Sequence, residues 1–300
     1  MHLTYTESWC SLMIDNYLLE ELVAFYEYKT LAAAAEHLNV TQPTLTRGMK
    51  KIEDELQVTL FNRQKNRITL TDVGKVAAIE AKKVLTSNQN FIQTVQNYAN
   101  QVNIINVGST IPGPKIAIES LKLTNANIAS DLIKPDNIEQ LLNSYNFDLI
   151  FSTHEIFSDS LESLYLGKEK LAVRIDKFHP LASQKTVTFK ELHGLSFLVV
   201  NDIGIWRDII QDYIPEAKFL YQENLAALSE LTQYSKFPVF RTNLSSLRIN
   251  DDDDDRRRLI PISDEKATVE IYACYLKNKR HDLQAILDEV SGIFSKNLPN

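Results

Sequence analysis

The stretch from Thr30 to Thr71, TLAAAAEHLNVTQPTLTRGMKKIEDELQVTLFNRQKNRITLT, constrains this chain more than any other. Leu31, Ala34, Ala35 and Leu38 recur at helical spacing and form a narrow apolar stripe. Their small side chains let a second helix cross close by. Asn39 and Val40 leave room only for a sharp turn. Thr41 is placed to cap the next helix with its hydroxyl, and Pro43 falls in the first turn, where its missing N–H costs little. Leu45, Met49, Ile52 and Leu56 then point inward. Thr41, Gln42, Pro43, Thr44, Thr46, Arg47, Lys50 and Lys51 are left on the cap and outer face. A helix face of amides, hydroxyls and cations suits base edges and phosphates. Phe61 anchors a short hairpin that follows, and Arg63, Lys65 and Arg67 make it a basic β-wing.

These residues carry a family resemblance. AAEHLNVTQPTLTRGMKKIEDELQVTLFNR followed by ITLTDVG resembles the DNA-binding head of the LysR-type transcriptional regulators. The motif match runs from about Asn16 to Ala99 and continues more weakly to the C-terminus. The competing reading is an ordinary helical hairpin with a solvated charged face. Turn, cap, wing and following helix all agree against it. Two residues depart from the family pattern. Gly48 stands where the family usually has a larger polar residue, so it either admits closer approach to DNA or removes one base contact. Gln57 stands where a glycine usually ends the helix, so it must adopt a left-handed conformation at some cost.

Charge distribution fits a nucleic-acid partner. The chain is acidic overall, with a net charge of −7. Yet residues 41–70 hold Arg47, Lys50, Lys51, Arg63, Lys65 and Arg67 against only Glu53, Asp54 and Glu55. Cation is concentrated in the element expected to meet phosphate. No apolar run reaches the length of a membrane span. The N-terminus lacks the basic start and apolar core of a signal peptide. The two cysteines, Cys10 and Cys274, form no metal or redox motif. A cytoplasmic protein with reduced thiols and no cofactor is the expectation.

Taken in order, residues 1–14 read as an N-terminal extension, and Met13 is an alternative start. Residues 15–71 form an all-α winged helix-turn-helix domain, beginning with a helix over Tyr17–Tyr28. Residues 72–100 form a linker helix capped by Thr71. Ala77, Ala81, Val84, Asn88, Phe91, Val95 and Tyr98 follow the alternating four-and-three spacing of a coiled-coil seam, in which a buried Asn88 would fix register. A hinge at 100–103 leads to an alternation of strands and helices over residues 103–300, which predicts a mostly parallel sheet. The resemblance implies a two-lobed α/β domain similar to periplasmic binding proteins. Lobe one would be about 103–164 and 267–300, and lobe two about 165–266. It also implies dimerisation through the linker helix, tetramers that bend DNA, and RNA polymerase as a possible further partner. The run Asp251–Asp255 lacks the glycine and spacing of a calcium loop and reads as solvated.

In open α/β sheets ligands gather at the carboxyl ends of strands. The first such end, Gly108-Ser109-Thr110-Ile111-Pro112, sets two hydroxyls before a helix whose N-terminus favours an anion. Ser109 and Thr110 are therefore the leading effector contacts, and a small anion such as a carboxylate suits the site. Ser152, Thr153, Asn201, Arg241 and Thr242 stand at other strand ends. Enzyme readings lack a nucleophile elbow, a zinc-protease motif and a glycine-rich phosphate loop. The sequence thus predicts a DNA-binding transcription regulator controlled by a small molecule. The rival is an architectural DNA-binding protein whose C-terminal domain only oligomerises.

Overall fold

The structure is a computed structural model that describes residues 13–64, 67–100, 104–248 and 256–296. Residues 1–12 of the N-terminal extension, with Cys10, then Lys65, the 101–103 part of the expected hinge and the Asp251–Asp255 run lie outside the described residues. The chain divides into two compact units at Val95/Gln96.

The first unit follows the sequence signals closely. Helix α1 spans Asn16–Tyr28 and buries Leu18, Leu22 and Phe25. Helix α2, Leu31–His37, starts at Thr30, whose Oγ1 accepts the Ala33 N–H at 3.2 Å. Asn39 takes a left-handed conformation (φ 59°) and turns the chain. Helix α3, Gln42–Leu56, starts at Thr41, whose Oγ1 accepts the Thr44 N–H at 3.3 Å. Leu45, Met49 and Ile52 are buried, but Leu56 is exposed because the last turn runs past the core. Gln57 ends the helix with φ 53°, the left-handed state its position demanded. Strands β1 (Phe61–Gln64) and β2 (Arg67–Leu70) pair antiparallel as the wing. Phe61 anchors them edge-on to Phe25, with ring centroids 5.6 Å apart. Thr71 then caps helix α4, Asp72–Asn100, by accepting the Gly74 N–H at 2.9 Å.

The second unit is built on mixed rather than mostly parallel pairing. Strand β3 (Ile105–Ser109) leads to helix α5 (Pro112–Ser120) and lies between β4 (Ala126–Ile128) and β5 (Leu149–Ser152), parallel to both. Helix α6 is Ile138–Asn143. Strand β6, Leu161–Asp176, is sixteen residues long, although only Leu171–Ile175 reads as a strand in sequence. Next come β7 (Ser196–Val200), α7 (Trp206–Tyr213), β8 (Lys218–Gln222), α8 (Leu225–Tyr234) and β9 (Val239–Thr242). The chain closes with β10 (Arg257–Pro261), β11 (Thr268–Leu276) and α9 (Arg280–Lys296).

β6 is the reason for the mixed pairing. Its first half pairs antiparallel with β11, which pairs antiparallel with β5. Its second half pairs antiparallel with β9 and β10. The parallel pairs are those around β3 and β7. One strand therefore belongs to both lobes of the α/β domain. A bulge at Leu166, followed by Gly167 at φ 152°, bends it between them. Buried residues from both lobes form a continuous core that includes Val107, Phe151, Phe197, Trp206, Tyr275 and Phe294.

Candidate functional site

The outer face of α3 carries the expected polar groups, but they divide into two kinds. Gln42, Pro43, Thr44, Arg47 and Lys50 are exposed, as is Arg67 on the wing. Among the described residues Arg47, Lys50 and Arg67 form no ion pair and no side-chain hydrogen bond. Thr41 and Thr44 also bond through their hydroxyls at 2.9 Å, which fixes the helix start. The other expected contacts serve the head itself. Thr46 Oγ1 donates back to the Gln42 carbonyl at 2.9 Å. Lys51 Nζ donates to Tyr17 at 2.9 Å and to Asp15 at 3.0 Å, and these bonds hold it firmly protonated. Arg63 pairs with Glu53 at 2.9 Å. Glu53 in turn accepts the Leu60 and Phe61 N–H groups at 2.8 and 2.9 Å, so it ties the wing to α3. Lys51 and Arg63 thus differ from Arg47 and Lys50 in having acidic neighbours within the head, although both side chains stay well exposed.

Gly48 does not face outward. It is buried in α3 against Glu21 of α1, and a Cβ there would overlap the Glu21 carboxylate. Glycine at this position makes room for Glu21 and leaves the DNA-facing surface unchanged. Among the described residues Glu21 Oε2 has no hydrogen-bond partner, and burial pushes its carboxyl up to about 7. Sequence reading missed both Glu21 and Glu53: Glu21 meets Gly48 only through the crossing of α1 and α3, and Glu53 acts on Leu60, Phe61 and Arg63 beyond the turn that ends its helix.

The proposed seam on α4 splits over two faces. Ala78 and Ala81 are buried in the core of the head, and Leu85 packs against it. Ala81, at 4% exposure, therefore cannot serve a partner chain. Asn88 is tied within its own chain, donating to Asn16 Oδ1 at 2.8 Å, so it does not fix register between chains. Val84, Phe91 and Val95 remain as an exposed apolar stripe, joined by Tyr98.

The second unit contains a cleft of about 480 Å³. Leu171, Leu198, Leu228 and Phe240 give it apolar walls, and Glu169, Asp202, Arg241 and Thr242 bring polar groups to it. Of the expected effector residues, Arg241 and Thr242 line this cleft. Ser109, Thr110, Ser152, Thr153 and Asn201 do not. Ser109 is buried and donates to the Ile111 carbonyl at 2.6 Å, so its hydroxyl stabilises its own loop. Thr110 is buried as well, and Ser152 Oγ accepts the His154 N–H at 3.1 Å. The start of α5 does reach the cleft through Pro112 and Gly113. Pro112 and Pro114, however, lack N–H groups, which strips that helix end of two donors an anion would need. The structure does not support the carboxylate site expected there.

Glu169 lies deepest among the polar groups, with 1% exposure. It approaches Gly113 so closely that a Cβ on that residue would overlap the carboxylate. Burial pushes the Glu169 carboxyl up to about 7, while Thr242 and Trp206 beside it pull in the opposite direction. Thr242 and Trp206 stand beside the carboxyl, but among the described residues neither Glu169 Oε2 nor Trp206 Nε1 completes a well-aligned hydrogen bond.

Comparison with known proteins matches both units. The family model described as bacterial regulatory helix-turn-helix protein, lysR family, matches residues 17–75. The LysR substrate binding domain model matches residues 118–290. The hydrogen peroxide-inducible genes activator of Haemophilus influenzae is 26% identical over 203 residues, covering 65% of this chain and 67% of that protein. The HTH-type transcriptional regulator BsdA of Bacillus subtilis is 30% identical over 210 residues, covering 67% and 72%. The fold is shared with Vibrio fischeri DarR solved in complex with DNA, at 16% identity, a TM-score of 0.51, and coverage of 92% of this chain and 98% of that one. It is shared likewise with a full-length OxyR variant of Pseudomonas aeruginosa, at 20% identity, a TM-score of 0.50, and coverage of 93% and 95%. With a DNA-binding head and a two-lobed α/β domain each matched by its own family model, the chain belongs to the LysR-type transcriptional regulators.

Proposed function

We propose that the protein is a sequence-specific DNA-binding regulator, not an enzyme, whose affinity or geometry on DNA is set by a small molecule in the cleft of the second unit. The observation that carries this reading is the exposed face of α3. Arg47 and Lys50 stand there without an ion pair among the described residues, while neighbouring Lys51 and Arg63 are held by acidic partners. Two such helices in a dimer would enter successive major grooves, with Arg67 on the flanking backbone. The stripe Val84, Phe91 and Val95 would supply the contact between chains.

A response to peroxide is the alternative suggested by the name of the Haemophilus relative, and in this chain it would need a reactive thiol. The one cysteine among the described residues speaks against it. Cys274 is fully buried and accepts a hydrogen bond from Ser163 at 3.2 Å, and burial pushes its thiol up to about 11. A thiol of that kind is a poor nucleophile. The cleft is instead of the size and mixed lining that small-ligand sites have. The experiment is a metabolite screen by thermal shift, followed by footprinting of the operator with each stabilising compound. A compound that stabilises the protein and alters the footprint supports the reading. A protein that no compound stabilises, but whose footprint peroxide alters, would favour the thiol switch.

A further inference from the structure

The cleft contains a buried acid that the fold leaves incomplete. Glu169 sits on β6, where the strand passes from one lobe to the other. Among the described residues its Oε2 completes no well-aligned hydrogen bond, although Thr242 and Trp206 stand beside it, and no Lys, Arg or His forms an ion pair with it. Gly113 yields the space that the carboxylate fills. The two prolines at the start of α5 keep that helix from supplying its usual set of amide donors to the acid. A buried carboxylate without a counter-charge is costly, and its fold keeps it only where something offsets that cost. The cleft that opens on it has apolar walls at Leu171, Leu198 and Phe240.

We propose that the cleft takes a ligand with an apolar body and a basic nitrogen, an ammonium or amidinium group that docks on Glu169 between Gly113 and Trp206. This rests on the reading of the cleft as the effector site, and it replaces the carboxylate effector that the sequence suggested. The incoming nitrogen displaces the side chains that cover Glu169 and donates to its buried Oε2. It gives the carboxylate a charge partner that Arg241 and Arg248, the cations already lining the cleft, do not supply as an ion pair among the described residues. The apolar body covers the leucine and phenylalanine walls. Asp202 also lines the cleft, but its Oδ2 already accepts the Leu132 N–H at 3.4 Å and it is exposed to solvent. It is therefore the control carboxylate.

The chain has two tryptophans, Trp9 and Trp206, so Trp9→Phe leaves Trp206 as the sole indole reporter beside the site. The full chain in that background would be titrated with two matched pairs: 2-phenylethylamine against 3-phenylpropionate, and benzamidine against benzoate. The amine and the amidine should shift Trp206 fluorescence and raise the melting temperature, while the two acids do neither. Glu169→Gln keeps the shape and should weaken binding of the basic compounds by about tenfold or more. Asp202→Asn should leave it unchanged. Binding of the acids alone would overturn the ligand class while leaving the cleft as an effector site. Loss of amine binding in Asp202→Asn but not in Glu169→Gln would overturn the assignment of the carboxylate. A protein that responds to none of the four compounds would count against the basic-nitrogen site itself, and the metabolite screen then decides separately whether the cleft binds effectors at all.

Discussion

Gly48 of the recognition helix and Glu21 of the first helix compete for one space. The glycine has no Cβ, and the carboxylate of Glu21 fills the volume a Cβ would take. A glycine inside a helix costs about 1 kcal/mol relative to alanine. In a Glu21→Ala background, Gly48→Ala should therefore stabilise the head by about that amount. In the wild-type background the gain should shrink or reverse, because the new methyl displaces a buried carboxylate. Urea denaturation of the four proteins in this double-mutant cycle measures the coupling. Equal effects in both backgrounds would mean that Glu21 leaves the site freely.

The same carboxylate makes the head sensitive to pH. Burial raises the Glu21 pKa from 4.5 to about 7 in the folded state. The folded form then binds the proton more tightly than the unfolded form. Stability from this group is greatest below 4.5, falls as pH rises toward 7, and is level above that. Glu21→Gln should accordingly be the more stable form at pH 8, by up to about 3 kcal/mol, and show little advantage at pH 4. Hydrogen exchange of the α1 and α3 amides, compared between the two proteins at each pH, reads this locally. A difference that does not change with pH would contradict the assignment.

Glu53 should matter to the wing more than any cation does. It accepts two backbone N–H groups and the Arg63 guanidinium. Glu53→Ala leaves those donors unpaired and should cost about 1–3 kcal/mol of head stability. Arg63→Ala should cost much less, since its side chain is partly solvated. Chemical denaturation of both variants tests the order.

Phe91→Asp should dissociate the dimer while leaving each head folded. Phe91 is 68% exposed within one chain, so its replacement disturbs no intrachain packing. Sedimentation of the full-length variant would show a lighter species than wild type. An unchanged assembly would move the contact between chains off this stripe.

The head was readable in the sequence because its signals are local. Thr41 caps the helix that begins one residue later, and Gln57 ends it within the same run. Glu21 and Gly48 were not readable as a pair, because only the crossing of α1 and α3 brings them together. The α/β half was harder for a related reason. β6 runs through LGKEKLAV, where Glu169 lies between two lysines and looks like part of a solvated edge. Only its pairing with Val269 of β11 and the packing of Gly113 against its carboxylate show that it is buried. The rule that ligands gather at strand ends describes the cleft where Val200, Arg241 and Thr242 end β7 and β9. It also selected Ser109 and Thr110, which do not line the cleft, and it passes over Glu169 in the middle of β6. Pro112 and Pro114 carried a legible warning, since neither has an N–H to offer an anion.

Selection of DNA from a random pool tests the central claim most directly. The wild-type chain should enrich a two-fold related site whose half-sites lie about one helical turn, or a multiple of it, apart. Arg47→Ala should lose preference at specific bases, worth about 1–3 kcal/mol each, with its melting temperature unchanged. Lys50→Ala should bind all sequences more weakly and reduce the salt dependence by about one phosphate contact. Enrichment of no sequence, or the same enriched site at the same affinity in both variants, would contradict the placement of α3 in the major groove.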